Sequence, residues 1–133
     1  MTDVRTYDPN LVTVSVNGIA LVGFSDGALV QCSKDNDSFT TKVSAQGSVG
    51  VAINNNNLGT IKVTLMQTSP SVTYLNQLAK SKTPFPIWVT SANDIKEKFG
   101  GTQALIKQPA DSKFSNAVED REFDFTVFDY NAS

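Results

Sequence analysis

Hydrophobic and polar residues alternate in short runs along most of this chain. In the run Leu11–Val16 three valines fall on one face, and Thr13 and Ser15 fall on the other. Alternation with a period of two is typical of a half-buried β-strand. Asn17-Gly18 follows this run, and both central positions of a type I′ turn need a positive φ, which these residues tolerate best. The pattern therefore predicts a β-hairpin near the start of the chain.

The same alternation predicts further strands along the rest of the chain. They cover Ile19–Phe24, Ala28–Ser33, Phe39–Ala45, Val49–Ile53, Ile61–Met66, Ile87–Thr90, Ala104–Lys107 and Glu122–Tyr130. The predicted connections are turns at Ser25–Gly27, Gln46-Gly47 and Gly100-Gly101, and polar loops at Lys34–Ser38 and Asn54–Asn57. In the last strand we expect the core face to be Phe123, Phe125 and Val127.

One segment has the pattern of a helix. Ser69 is a favourable N-cap, and Pro70 at the first helical position gives up an N–H that has no partner there. The apolar stripe that follows consists of Val72, Leu75, Leu78 and Ala79. The prolines in Thr83–Pro86 end the helix. Many strands, one helix and more strands predict a mainly β protein, an antiparallel β-sandwich or barrel with one flanking α-helix.

Length and composition bound the function classes. A chain of 133 residues predicts a single domain over 1–133. The net charge of −2 gives no reason to expect a protein that reads nucleic-acid sequence. The N-terminus lacks an apolar signal core, and no window approaches the run of about 18 apolar residues that a membrane span needs. We therefore expect a protein made in the cytoplasm that has no membrane partner.

The residues needed for catalysis or metal binding are largely missing. The chain has no histidine, which removes the commonest general base and metal ligand. Cys32 is the single cysteine, so it forms no intrachain disulfide, and its apolar surroundings favour a small buried hydrophobe over a reactive thiol. The acidic pairs around Asp35 and Asp124 lack the spacing of a calcium-binding loop. We expect no catalytic residues, no metal site, no cofactor and no enzymatic activity.

Charge is distributed unevenly along the second half. Residues 80–113 contain six lysines, and residues 119–129 contain five carboxylates and one arginine. The two segments are either ordinary solvated faces or complementary patches that pair between neighbouring subunits. The candidates for such pairing are Lys96, Lys98, Asp120 and Asp124. Gly50 and Ala52 in the fifth predicted strand similarly indicate either close approach by a neighbour or a flat internal sheet face.

Several motifs in the first half, in this order and spacing, resemble those of bacteriophage tail tube proteins from contractile-tailed phages. The motifs are Tyr7–Pro9, Val12–Val14, Gly23–Gly27, Asp37–Phe39, Lys42–Gly47 and Gly59–Ser69. The match in the second half is looser and consists of Pro86–Val89 and the aromatic last strand.

The resemblance implies a structural subunit of a phage tail tube. In that family a small β-sandwich or barrel with one flanking helix forms hexameric rings, and the rings stack around a lumen for genome delivery. The implied partners are further copies of the chain, the tail sheath protein outside, the tape-measure protein and transiently double-stranded DNA in the lumen, and the baseplate hub. The implied location is the virion tail, assembled in the host cytoplasm.

The resemblance also implies roles for particular residues. The inner sheet corresponds to Ala28–Ser33, Phe39–Ala45, Ile87–Ser91 and Gln103–Lys107. The lumen-lining candidates are Gln31, Thr40, Lys42, Ser44, Thr90 and Gln103. The ring-stacking candidates are Lys34, Asp35, Asn36, Asp37 and Ser38, together with Asn54, Asn55, Asn56 and Asn57. A DNA conduit avoids clusters of cations, so the orientation of Lys42 and Lys107 stays open.

Two other hypotheses remain. One is a tube or baseplate component of a phage-derived contractile particle or secretion machine. The other is a monomeric β-sandwich binding module, such as a carbohydrate binder. A binder of that kind usually exposes an aromatic platform, whereas Trp88 lies between Ile87 and Val89 and is expected to be buried.

Overall fold

The computed structural model describes residues 8–24, 30–93, 96–108, 112 and 114–132. A short 3₁₀ turn at Pro9–Leu11 precedes the first strand. The strands before the helix are β1 (Val12–Val16), β2 (Ile19–Ala20), β3 (Val30–Lys34), β4 (Phe39–Val43), β5 (Val49–Ile53) and β6 (Gly59–Met66). After them come α1 (Pro70–Ser81), β7 (Phe85–Ser91), β8 (Glu97–Gln108), β9 (Asp120–Val127) and β10 (Asn131–Ala132). The predicted turn at Ser25–Gly27 lies outside the described residues.

Most of the strands form one antiparallel sheet, which confirms the mainly β fold with a flanking helix. Its order is β2-β1-β7-β8-β9-β6-β3, and β10 pairs with β8. β6 and β9 pair along their whole length, from Gly59 opposite Val127 to Met66 opposite Asp120. The first hairpin turn is as predicted, because Asn17 and Gly18 both have positive φ, 52° and 81°.

The core lies on one face of this sheet, under the helix. On β9 the predicted residues Phe123, Phe125 and Val127 are fully buried. Strands β1, β6 and β7 contribute alternate valine, leucine, isoleucine and phenylalanine residues to the same cluster. From α1, Val72 and Leu75 are buried in it, and Leu78 packs against it. Fully burying one such side chain contributes about 1.5–3 kcal/mol, so this cluster supplies the main stabilisation of the fold.

The helix begins where the sequence predicts. The Ser69 side chain accepts a hydrogen bond from the Ser71 amide at 3.2 Å and donates one to the Val22 carbonyl at 2.5 Å. The Ser71 hydroxyl accepts from the Val22 amide. These side-chain bonds replace ladder bonds after β2, so the predicted strand Ile19–Phe24 is wrong beyond Ala20, apart from a bridge between Phe24 and Leu65.

The predicted turn at Gly100-Gly101 is wrong, because both glycines lie inside the 12-residue strand β8. Gly100 has a φ of 142°, and a Cβ there would collide with the Ile87 carbonyl oxygen. Because Gly100 and Gly101 have no side chains, β8 passes close to β7 at this point and continues as a strand. Its first half pairs with β7 and its second half with β9, with register shifts on both sides. The positive φ of Gly100 thus allows a bend within β8 rather than a turn that reverses the chain.

Trp88 is half-buried, and its environment differs from the expectation. Ile87 and Val89 face the core, so the period of two places Trp88 on the opposite face of the sheet. There the Lys98 ammonium lies 4.4 Å from the centre of the indole ring. Within the described part of the chain, no helix is long and apolar enough to cross a membrane.

Candidate functional site: a projecting hairpin

β4 and β5 form a separate two-stranded hairpin, here called the arm (Phe39–Ile53). The strands pair antiparallel, with Phe39 opposite Ile53 and Val43 opposite Val49. At the tip the Ser44 amide donates to the Ser48 carbonyl at 2.8 Å, and Gly47 has a φ of 87°. The predicted turn at Gln46-Gly47 is therefore confirmed. The arm is not hydrogen-bonded into the main sheet.

One face of the arm is apolar and uncovered. Because directly paired residues share a face, the apolar residues fall together. The apolar residues of this face are Phe39, Val43, Val49, Val51 and Ile53, and Thr41 lies among them opposite Val51. The exposed fractions of the apolar residues range from 54% for Phe39 to 70% for Ile53. Every residue of the arm is exposed, so the described part of this chain supplies no cover for the face.

The opposite face of the arm is polar or small. It presents Thr40 and Lys42 on β4, and Gly50 and Ala52 on β5. Strand alternation places Ser44 on this side too. Three of the lumen-lining candidates therefore lie together on a single surface. Lys42 points away from the apolar face, which decides its orientation within the subunit.

The two predicted stacking loops come together at the base of the arm. Residues 35–38 and 54–58, here called the neck, run side by side and connect the arm to β3 and β6. The Asp35 amide donates to the Leu58 carbonyl at 3.0 Å, and the Asn54 amide donates to the Ser38 carbonyl at 2.8 Å. Lys34, the first stacking candidate, is the last residue of β3.

Side chains within the neck stabilise its shape. The Thr60 hydroxyl donates to the Asp35 carboxylate at 2.6 Å. The Asn54 side chain accepts from the Asn56 amide, and the Asn56 side chain accepts from the Leu58 amide. Such local bonds are typical of asparagine in turns. At least two of the four asparagines therefore have a conformational role.

The turn after β9 contacts the neck from outside. The Tyr130 amide donates to the Asn57 carbonyl at 2.9 Å, and the Tyr130 ring packs on Gly59. Beside it the Asp129 carboxylate accepts hydrogen bonds from Thr102 and Gln103 on β8. The hydrogen bond from the Thr102 hydroxyl, helped by backbone amides, lowers the pKa of Asp129. Sequence reasoning missed this turn, and the only local signal was an aspartate after a strand.

The remaining lumen candidates lie on separate strands of the main sheet. Gln31 is exposed on β3 at the sheet edge, Thr90 on β7 and Gln103 on β8. Three strands separate β3 from β7, and β4 belongs to the arm. Of the four strands expected to form one inner sheet, only β7 and β8 are therefore neighbours within the subunit. Their order depends on long-range pairing, which residue alternation does not encode.

The charged candidates lie on two different parts of the sheet. Lys96 and Lys98 are exposed at the start of β8, and Asp120 is exposed on β9 while Asp124 is half-buried. Glu122, between these two aspartates, forms an ion pair with Lys62 on β6 at 3.0 Å. The hydrogen bond to Glu122 and the negative charge of Glu122, together with the charge of Asp124, raise the pKa of Lys62. The acidic strand therefore has a basic residue beside it that the linear charge pattern did not show.

Arg121 and Cys32 are both shielded from solvent to some degree. Arg121 is buried on the core side of β9, with its guanidinium carbon 5.3 Å from the centre of the Phe114 ring. It therefore does not belong to the exposed acidic face. Cys32 is half-buried, and desolvation raises the pKa of its thiol to about 11. The thiol is protonated at neutral pH, as suits a small hydrophobic residue.

Comparisons with known proteins reveal similarity in structure. No family model matches the chain, and no curated protein matches it. A chain of the cryo-EM structure of the anti-feeding prophage cap, the AFP tube terminating cap, matches with a TM-score of 0.68 at 10% identity, covering 100% of this chain and 94% of that one. A chain of the sheath/tube terminator of PVC, an extracellular contractile injection system, in the extended state, matches with a TM-score of 0.69 at 14% identity over 99% of both chains.

A third match comes from the PVC sheath-tube complex in the extended state. Its TM-score is 0.59 at 12% identity, and it covers 96% of this chain and 91% of that chain. At such low identities the similarity shows a shared fold. The fold of this protein is therefore one found in tube, cap and terminator assemblies of contractile systems.

Proposed function

We propose that the protein is a structural subunit of the tube assembly of a phage-derived contractile particle, and that the arm packs against a neighbouring subunit. The observation that carries this proposal is the uncovered apolar face of the arm. A two-stranded hairpin is at best marginally stable alone in water. Contiguous exposed apolar patches mark interaction sites. The shared fold with cap, terminator and sheath-tube structures supports the same class of function.

The energetics suit subunit association. The apolar face contains five apolar residues that each remain more than half exposed in the subunit. Completing their burial contributes on the order of 5 kcal/mol, taking about half of the full-burial value for each residue. With the loss of translational freedom offset by other contacts, that contribution corresponds to a Kd of about 0.2 mM. Association at micromolar concentrations, which needs about 8 kcal/mol, therefore requires further contacts beyond the apolar face.

The finer form of the proposal is a ring of six copies that stacks into a tube. The polar face of the arm and the exposed polar residues of β3, β7 and β8 then line the lumen, and the neck contacts the next ring. The sheath lies outside, a tape-measure protein and the cargo lie inside, and a baseplate hub closes one end. In a phage tail the cargo is double-stranded DNA. The subunit performs no chemistry in this role.

A second candidate is the terminating ring of such a tube. The structural agreement is better for the cap and the terminator, with TM-scores of 0.68 and 0.69, than for the sheath-tube complex, with 0.59. A tube subunit grows into long polymers, because each ring offers the next one a binding surface. A terminator stops at a single closed ring. Electron microscopy of the purified protein separates the two candidates.

The arm is tested by a matched pair of substitutions. Val51→Lys places a charge on the apolar face, where burying an unpaired ammonium is costly. We expect it to weaken self-association by at least about tenfold, which corresponds to roughly 1.4 kcal/mol. Thr40→Lys adds the same charge on the polar face and is expected to leave association nearly unchanged.

Sedimentation velocity and negative-stain microscopy measure the outcome, with thermal unfolding as the check on folding. Because Val51 is exposed in the subunit, both variants are expected to melt close to the wild type. A wild-type protein that stays strictly monomeric at high concentration contradicts the proposed function. Equal association of the two variants contradicts the role of the apolar face.

A further inference from the structure

We infer that Asp129 and Tyr130 are positioning residues that set the direction in which the arm leaves the main sheet. The turn that carries them connects β8 on one side to the neck on the other. This inference rests on the proposed function only for its consequence in assembly. The contacts themselves lie within one subunit.

Asp129 attaches the turn to β8. One carboxylate oxygen accepts from the Thr102 amide at 3.1 Å and from its hydroxyl at 2.5 Å, and the other accepts from the Gln103 amide at 3.1 Å. Hydrogen bonds to a charged acceptor are stronger than neutral ones. Gly101 permits the approach, because a Cβ there would collide with the carboxylate. Three donors from two adjacent residues therefore hold one carboxylate in a single orientation.

Tyr130 attaches the same turn to the neck. Its amide bonds to the Asn57 carbonyl, and its ring packs against Gly59 so closely that a Cβ on this glycine would overlap the ring. The ring is half-buried beside the core. Gly59 is the first residue of β6, so the contact falls where the chain returns from the arm to the sheet.

The neck needs such a support because the arm projects from the main sheet and is joined to it only through the neck. The arm is covalently attached only through β3 and β6. The Asp35 amide donates to the Leu58 carbonyl, and the Thr60 hydroxyl at the start of β6 donates to the Asp35 carboxylate. These two bonds connect the two segments of the neck. The Tyr130 contacts tie them to the turn, and Asp129 ties the turn to β8. A small rotation at the neck displaces the tip of the arm far more than its base.

A fixed arm direction favours assembly. An interface formed by a surface that is already oriented loses less conformational freedom on binding than one formed by a mobile segment. The inference therefore predicts that loosening the turn weakens assembly, although no residue of the turn belongs to the apolar face.

The test measures the arm direction in dilute, monomeric protein. Spin labels are placed at Gln46→Cys on the tip of the arm and Thr73→Cys on the exposed side of α1, in a Cys32→Ser background. Double electron–electron resonance then gives the distance distribution between them. We expect Asp129→Ala to broaden the distribution and shift its mean. Glu97→Ala removes an exposed carboxylate at the far end of β8 and is expected to change nothing.

A second pair of variants keeps the inference falsifiable if Asp129→Ala fails to fold. Gly59→Ala pushes the Tyr130 ring away, whereas Gly50→Ala introduces the same methyl group within the arm at an ordinary contact distance of 3.8 Å from the nearest atom. We expect the first to broaden the distance distribution and the second to leave it unchanged. Unaltered distributions in both Asp129→Ala and Gly59→Ala would overturn the inference.

Assembly is measured on the unlabelled variants. We expect Asp129→Ala to require about tenfold more protein to assemble than Glu97→Ala does. A broadened distance distribution combined with unchanged assembly overturns the functional part of the inference. The distance measurement does not require assembly, so it still decides the role of the turn if the wild type proves monomeric and the proposed function fails.

Discussion

Asp129 illustrates how much one exposed side chain can organise. Its carboxylate joins a turn to a strand 27 residues earlier in the chain, through donors that belong to Thr102 and Gln103. Neither donor is recognisable in the sequence as a partner for an aspartate. The thiol of Cys32, by contrast, behaves as its apolar sequence neighbours predict, because desolvation raises its pKa.

The lowered pKa of Asp129 gives a prediction for stability against pH. A folded-state pKa below the unfolded value means that the carboxylate stabilises the fold above the ordinary aspartate pKa of about 3.9. This contribution is lost as the pH falls through the folded-state pKa. Urea unfolding of the wild type and Asp129→Asn should therefore show a difference near pH 6 that shrinks steadily below about pH 4. A difference that stays constant down to pH 2 would contradict this assignment.

At the scale of the elements, local signals predicted the start of α1 and the turn of the first hairpin. Ser69 and Pro70 lie where the helix begins, and Asn17-Gly18 forms the expected turn. The glycine pair in β8 was misjudged, because the same local signal describes a turn and a bent strand. Only the β7 backbone beside Gly100 distinguishes the two.

The helix start supplies a prediction for stability. Ser69→Ala removes the N-cap acceptor and leaves the Val22 carbonyl without its hydroxyl donor. We expect a loss of about 2 kcal/mol in the free energy of unfolding. Ser81→Ala, at the exposed end of the same helix, removes a hydroxyl bond to the Leu78 carbonyl and a long 3.5 Å bond from the Thr83 amide, both exposed, and should cost less than about 0.5 kcal/mol. Equal losses in a denaturant titration would refute the special role of Ser69.

At the scale of the whole molecule, the arm and the strand order matter most. Val49, Val51 and Ile53 share a face, as the alternation requires, but alternation alone does not distinguish a core face from a contact face. The structure places this face on a projecting hairpin, where it becomes a candidate surface for association. The two stacking-loop candidates likewise proved to be one neck, because β4 and β5 pair with each other.

The charge patches remain a prediction at this scale. If acidic residues of β9 pair with lysines of a neighbouring subunit, Asp120→Asn combined with Asp124→Asn should slow association at low salt and reduce its dependence on ionic strength. Light scattering at several salt concentrations measures both effects, with Glu97→Gln as the control for a lost carboxylate. Unchanged kinetics in the double variant would contradict the pairing of these aspartates with lysines of a neighbouring subunit.

The sequence by itself determined the elements whose causes lie within a few residues: the alternating strands, the Asn17-Gly18 turn and the helix capped by Ser69. It also determined which residues of β9 face inward, because that depends only on the strand period. The tertiary structure decided the order of the strands, the bend at Gly100, the projection of the arm and the support of the neck by Asp129 and Tyr130. These depend on partners tens of residues away, and the contacts exist only once the sheet has formed.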